Sequence, residues 1–403
     1  DYYKLEGNVA DIMVNDTAKD YRLGAMTVNL FTNRDTTHAN LACGDFSLRV
    51  NSKGGYAYIL NRGMGFWKEL RNQLATKHIN EMRLRERLPL ANIYLHSGRE
   101  NIFMRVLRKY GYSVGEVSAD LNSSPVKGLN GYFNIHQLMA DSILIDTVRL
   151  GLKSDAERIA YSVQVRNNKK NPQYVFNALL NGALEERGTY IKANIYDEAN
   201  KLGIGVGVRA TMEDKGIQLS LMDQEAVLGY KRFTVNDGNY VFLGDDRRVR
   251  ADVRLRATDG TGILLTTNNE NEEALQDITL SLNHFNLEKL FSVLPYMPEV
   301  SGTLNGDFHA IQTKESLSIS SAVSVTDLVY QQSPMGNLSS EFVYMPKSDG
   351  GHYIDGTLSQ NDIQVGHLSG TYNSGHGGKL DATLLLERLP LAIVNGFIPV
   401  SYT

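Results

Sequence analysis

Apolar and polar positions alternate with a period of two along most of this chain. The clearest run is Leu202-Gly-Ile204-Gly-Val206-Gly-Val208-Arg-Ala210-Thr-Met212, where every second residue is apolar and the rest are glycine or polar. Ile217, Leu219 and Leu221 repeat the pattern, and Val253 and Leu255 do so with Arg250, Arg254 and Arg256 on the opposite parity. Leu144, Val148, Leu150 and Leu152 form a further run, as do Ile278, Leu280 and Leu282, and then Leu317, Ile319, Val323 and Val325. This alternation predicts strands with one apolar and one wetted face, as in antiparallel sheets. Turn signals such as Asn236-Asp-Gly238, Thr258-Asp-Gly260 and Asn373-Ser-Gly375 fall between them. The expected fold is mostly β, an antiparallel sheet with a few short amphipathic helices.

Helical spacing is local. Trp67, Leu70 and Leu74 lie at i, i+3 and i+7; Ile102/Val106 and Phe103/Leu107 are i, i+4 pairs. Val175, Phe176, Leu179 and Leu180 follow Pro172, Leu287, Leu290, Phe291 and Leu294 form a fourth pattern, and Leu389–Val394, opened by Pro390, a fifth. Each predicts a helix of two to four turns. Trp67, the only tryptophan, falls on one apolar face, so core packing is its default.

The segment Leu384–Pro399 copies part of Ile278–Val300. Ile278, Leu280 and Leu282 match Leu380, Ala382 and Leu384 at an offset of 102, and Leu290, Val293 and Pro298 match Leu391, Val394 and Pro399 at 101. The segments Gly115–Leu121 and Gly302–Phe308 are similar at an offset of 187, each after a helix pattern that opens at Asn101 or Asn286. Fixed-period similarity predicts a repetitive architecture, each unit burying its core against its neighbours. The expectation is one elongated array in three successive blocks, roughly 1–100, 101–285 and 286–403. Both ends look cut, as in a fragment of a longer protein.

Composition narrows the function classes. A net charge of −4 without a Lys/Arg stripe excludes an electrostatic nucleic-acid binder. One cysteine, Cys43, allows neither an internal disulfide nor a cysteine zinc site. No apolar window reaches the length of a membrane span. Nine histidines are scattered without HxH or HExxH spacing; His352, His367 and His376 could meet across neighbouring strands but lack convergent carboxylates. Gly203, Gly205 and Gly207 lie inside strict alternation with no following helix, so close backbone approach suits them better than a phosphate loop. Asp245, Asp246 and Asp259 read as solvated turn carboxylates. No serine sits in a GxSxG elbow. No catalytic set, metal site or cofactor is expected.

What remains is the apolar face. Either it closes against another sheet, or it stays partly open and holds something greasy. Acyl chains suit the second case, because burying each CH₂ stabilises by roughly 0.8 kcal/mol without placed polar groups. Candidate lining residues are Leu144, Val148, Leu150, Ile204, Val206, Val208, Leu219, Leu221, Val253, Leu255, Ile278, Leu280, Leu282, Ile319, Val323 and Leu384. Alternation leaves both cases open.

The repeat residues also carry a family likeness. Leu386-Glu-Arg-Leu-Pro-Leu-Ala-Ile-Val-Asn-Gly-Phe-Ile-Pro399 resembles the LPL…NGF-P element of the TamB family, inner-membrane subunits of the translocation and assembly module of Gram-negative envelopes. Asn286–Leu290 with Met297–Gly306 is similar to the equivalent element of that family and its AsmA-like relatives. The resemblance implies an elongated, curved β-sheet trough (a β-taco, or repeating β-groove) that carries phospholipid acyl chains between inner and outer membrane, without catalytic residues. It also implies a periplasmic location, an N-terminal helical anchor in the inner membrane and an Omp85-type outer-membrane partner, contacted by parts beyond Pro399. An alternative within the same family is an assembly scaffold that templates outer-membrane β-barrel strands by augmentation. A third reading, without family support, is a carbohydrate-binding or adhesin β-solenoid, which would use exposed tyrosine platforms.

Overall fold

The computed structural model describes residues 2–10, 13–16, 19–22, 25–155, 158–222, 225–268, 274–314, 316–346, 351–373 and 378–387. Two compact units divide the chain, Asp1–Asn200 and Lys201–Thr403. The described residues are mostly strand, with four helices.

The first unit holds β1 (Tyr2–Val9), β2 (Met13–Asp16), β3 (Lys19–Arg22), β4 (Met26–Asn33), β5 (Thr36–Cys43), β6 (Phe46–Lys53), α1 (Tyr56–Ala75), α2 (Glu81–Glu86), β7 (Leu90–Ser97), α3 (Ile102–Lys109), β8 (Tyr112–Ser113), β9 (Glu116–Ser124), β10 (Gly128–Ala140), β11 (Ile143–Ser154), β12 (Ile159–Asn167), β13 (Phe176–Glu185) and β14 (Gly188–Tyr196). Antiparallel pairing runs β1-β4-β5-β6-β7-β9-β10-β11-β12-β13-β14, with β8 joining β10 and β2–β3 forming a separate hairpin. The meander is the arrangement that short turn-linked, alternating segments favour.

The second unit holds β15 (Leu202–Glu213), β16 (Gly216–Leu221), β17 (Glu225–Leu228), β18 (Lys231–Val235), β19 (Tyr240–Gly244), β20 (Val249–Arg256), β21 (Gly262–Thr267), β22 (Gln276–Asn286), α4 (Leu287–Phe291), β23 (Val300–Gln312), β24 (Leu317–Tyr330), β25 (Ser333–Pro346), β26 (His352–Gln360), β27 (Ile363–Asn373) and β28 (Lys379–Leu386). Its sheet forks at β15. One branch runs through β16 and β19, the other through β17 and β18, and both rejoin at β20. From β20 to β28 each strand pairs antiparallel with the next.

The helix patterns at Trp67–Leu74, Ile102–Leu107 and Leu287–Phe291 correspond to α1, α3 and α4. At 20 residues, α1 is longer than two to four turns. The helix expected after Pro172 is instead the strand β13. Phe176, Ala178, Leu180 and Leu184 all point one way, and β13 is paired on both edges. The i, i+4 spacing there came from a period-two run that also has apolar residues on its second face, at Leu179 and Ala183. The short α2 has no run long enough to signal it, yet Leu84 within it is completely buried. The pattern at Leu389–Val394, and with it most of the second repeat copy, lies outside the described residues.

Asparagine starts three of the four helices. The side chains of Asn80, Asn101 and Asn286 each accept a hydrogen bond from the backbone N–H three residues on, at 2.9–3.0 Å. Asn101 and Asn286, which open the helix patterns ahead of the similar segments, are thus both helix caps.

Candidate functional site

Residues opposite one another in a ladder share a face, so the register traces each face across its unit. In the second unit Val208 faces Leu221, Ala210 faces Leu219, and Ile204 faces Leu228. Val241 faces Ala251, Val253 faces Leu265, and Leu265 faces Leu280. Leu280 then meets Phe308, Ala310 meets Ile319, and Gly306 meets Val323. Beyond these, Ile319 meets Tyr344, Tyr344 meets Ile354, and Leu368 meets Leu384. Ile204, Val206, Val208, Leu219, Leu221, Val253, Leu255, Ile278, Leu280, Leu282, Ile319, Val323 and Leu384 therefore all lie on one face. The opposite face carries Arg209, Gln218, Arg250, Arg254, Thr279, Asp307, Ser320, Asp355 and His367.

Burial divides this apolar face in two. Near the fork, Ala226, Phe233, Leu255 and Phe285 form a closed core, with Val206, Leu221, Val253 and Leu282 packed around it. Phe233 is 1% exposed and stacks on Phe285 with ring centroids 5.8 Å apart. Phe285 reaches that core through a bulge: the register shifts by one residue between Leu282 and Phe285, and His284 takes a φ of 56°. From Leu317 to Leu386 the ladder positions on this face are different. Ile319, Val323, Leu338, Phe342, Ile354, Leu358 and Leu368 are half-buried and Leu380, Leu384 and Leu386 are exposed, so none of these is fully buried; the buried Met335 and Val365 sit at the starts of β25 and β27, where the register shifts. A closed sandwich would bury such residues, since packed cores leave few gaps.

The first unit has the same two-faced construction. Leu5 faces Leu30, Leu30 faces Ala39, Ala39 faces Val50, and Val50 faces Ile93. Ile93 faces Leu121, Phe133 faces both Ala119 and Leu150, Val148 faces Val165, and Leu180 faces Ala193. Leu144, Val148 and Leu150 share this face, with Leu144 opposite Met139. The closing contacts lie largely at the strand ends, where helices sit. At one end the Tyr56 N–H at the start of α1 donates to Thr32 Oγ1 at 3.0 Å, beside the buried Thr37, Ser52 and Ala91. At the other, Phe103 of α3 packs on Phe46 at 4.5 Å, beside the buried Cys43 and Ser97. Between these ends Leu30, Leu41, Leu48, Val50, Leu95, Leu121, Phe133, Ile135, Val148 and Leu150 are half-buried.

Sequence reasoning missed much of the lining. Leu338, Phe342, Tyr344, Ile354, Leu358 and Leu368 share the face with Ser321, Ser340, Gly356, Gly366 and Gly370, so their strands do not read as clean alternation. Only the register recovers them.

Several polar side chains form small local clusters. His352 lies on the apolar face, stacked on Tyr344 at 4.7 Å, whereas His367 lies on the polar face and contacts Asp355 at 3.0 Å. The two histidines therefore point to opposite sides, and His376 is outside the described residues. His367 and the Tyr353 hydroxyl hold the Asp355 carboxyl below its usual range. Asp259 is tied to Lys231 Nζ at 2.6 Å and to Thr261, and these hydrogen bonds lower its pKa strongly. Gly203 has the Val293 side chain against its α-carbon, a close approach that leaves no room for Cβ. Among the described residues no cluster of three metal-ligating side chains occurs, and no helix is long and apolar enough to cross a membrane. Trp67 is 61% exposed, so the expectation of core packing fails: Phe66, Leu70 and Gln73 form the packed side of α1, and Trp67 falls beside it.

Compared with known proteins, the chain matches no family model, no curated protein and no solved structure.

Proposed function

We propose that the apolar face of each unit carries phospholipid acyl chains, and that the chain is a non-catalytic periplasmic segment of a TamB/AsmA-like envelope protein moving lipid between inner and outer membrane. The observation that carries this reading is the run of apolar ladder positions from Ile319 to Leu386, half-buried or exposed, with the fully buried Met335 and Val365 confined to the starts of β25 and β27, where the register shifts. A ladder of half-exposed Leu, Ile and Phe is costly in water and unspecific in geometry. Both properties suit a ligand of repeating CH₂ groups, each worth roughly 0.8 kcal/mol when buried. The polar face opposite keeps the segment soluble on its other side. Contact with an Omp85-type outer-membrane protein belongs, in this reading, to other parts of the full-length protein.

The test pairs mass spectrometry of co-purified lipid with a photo-crosslinking residue at Leu280, Ile319 or Val148. Lipid adducts at these positions are expected. Absence of lipid, together with absence of adducts at all three, would overturn the reading. Adducts to unfolded outer-membrane strands in place of lipid would favour the strand-augmentation scaffold instead.

A further inference from the structure

We propose that α1 is a docking surface for an anionic lipid bilayer. Tyr56, Leu60, Met64, Trp67 and Leu74 stand at i, i+4, i+8, i+11 and i+18, which places them within an arc of roughly 80° on a helix of 3.6 residues per turn. All five are strongly exposed, from 49% at Leu74 to 63% at Met64. They are not the core face. Ile59, Phe66, Leu70 and Gln73, on the adjoining arc, turn toward the protein. Tyr3 of β1 extends the patch, meeting Tyr56 edge-on at 5.8 Å while itself 63% exposed. An apolar stripe of this size on a surface helix needs an occupant.

Charge identifies that occupant. From Tyr56 to Arg87 the chain carries seven basic and three acidic side chains, a net of +4 in a protein of net −4. Arg71 falls within that arc, between Trp67 and Leu74 along the helix, and Lys68 lies beside it; both are exposed, and Arg62, Arg83 and Arg87 gather with Glu69 and Glu86 in a cleft between α1 and α2. Aromatic and aliphatic residues on one face with basic residues around them is the pattern of a helix lying in a bilayer interface. Tryptophan and tyrosine favour that depth, and each basic residue near an anionic surface adds about 1 kcal/mol of attraction. A second copy of this basic segment would repel itself, which disfavours self-association through the same face. The inference is independent of lipid in the sheet face, because Trp67 lies outside that face.

Trp67 is the only tryptophan and reports directly. The full chain is titrated with phosphatidylglycerol/phosphatidylcholine vesicles at low salt. The Trp67 emission is expected to shift to the blue and to be quenched by brominated acyl chains, with the protein co-sedimenting. Pure phosphatidylcholine vesicles and high salt are expected to weaken binding by about tenfold or more, as are Lys68→Glu with Arg71→Glu. Leu60→Asp with Met64→Asp, both at exposed positions, is expected to abolish co-sedimentation while circular dichroism and lipid adducts at Leu280 stay unchanged. No shift with anionic vesicles overturns the proposal. So does a blue shift that follows protein concentration without vesicles, or unchanged co-sedimentation of the Asp variant.

Discussion

At the scale of single residues, the same alternation produces two environments that a substitution can tell apart. Leu255 is 6% exposed among Phe233, Phe285 and Ala226, whereas Ile319 is half-buried on the same face. Phe233→Ala should cost about 3–5 kcal/mol, as for an aromatic removed from a packed core. Leu255→Asp should unfold the second unit, since a buried carboxylate there has no partner. Ile319→Asp should leave the chain folded, because water reaches that position. Urea midpoints of the three variants check the contrast; equal loss at Leu255 and Ile319 would mean that the face is closed throughout. Glu81 supplies a pH signature. Burial raises its carboxyl pKa and Asp155 pushes the same way, while Arg85, 3.8 Å away, only partly compensates. A carboxyl whose folded pKa lies above its unfolded value favours folding below the unfolded value and loses that contribution as pH rises through the folded one. Glu81→Gln should therefore raise the urea midpoint at pH 7 and give no gain at pH 3.

At the scale of elements, the strands were legible and the helices only in part. Period two survives where a strand has a wet face, so Val253 and Leu255 between Arg250, Arg254 and Arg256 announce themselves. The segment after Pro172 misled because β13 has apolar residues on both faces, and two adjacent ladders outweigh a weak helical spacing. The bulge before Phe285 was invisible, because His284 is an ordinary residue in sequence and only its positive φ moves Phe285 into the core. Asn101 and Asn286 opened helix patterns without revealing their role; both are helix caps. They are not equal. Asn101 is fully buried and its amide also donates to Asp45 Oδ1 at 2.7 Å and Ser97 Oγ at 2.9 Å, whereas Asn286 is half-buried and has the cap bond. Asn286→Ala should cost about 1 kcal/mol and Asn101→Ala at least about 2 kcal/mol, because the second also strands buried acceptors. Thermal denaturation of the two variants measures the difference.

At the scale of the whole molecule, the question is whether the apolar face that the ladders trace through each unit is also continuous in use. Each unit brings residues of one parity onto an apolar face through ten or more antiparallel strands, and among the described residues no cluster of three metal-ligating side chains occurs. The sixteen lining candidates were legible as alternation, but their membership of common faces came from pairing alone, since Gly306, Ser321 and Ser340 interrupt the pattern that would join Leu280 to Leu358. A groove for acyl chains makes a prediction that neither a closed core nor an edge-pairing scaffold shares. Photo-crosslinker yields should follow the pleat: high for lipid at Val148, Leu150, Leu280 and Ile319, and low at Thr147, Arg149, Thr279 and Ser320, their neighbours on the polar face. The same two-residue period should hold in both units, because each face is built by the same rule. A scaffold that binds by its edges would place adducts along outer strands such as β1 regardless of parity. A closed core would give no lipid adducts at either parity. Scanning four consecutive residues in β11 and four in β22 is enough to separate these outcomes, since a slip of one residue along a strand exchanges the apolar face for the polar one.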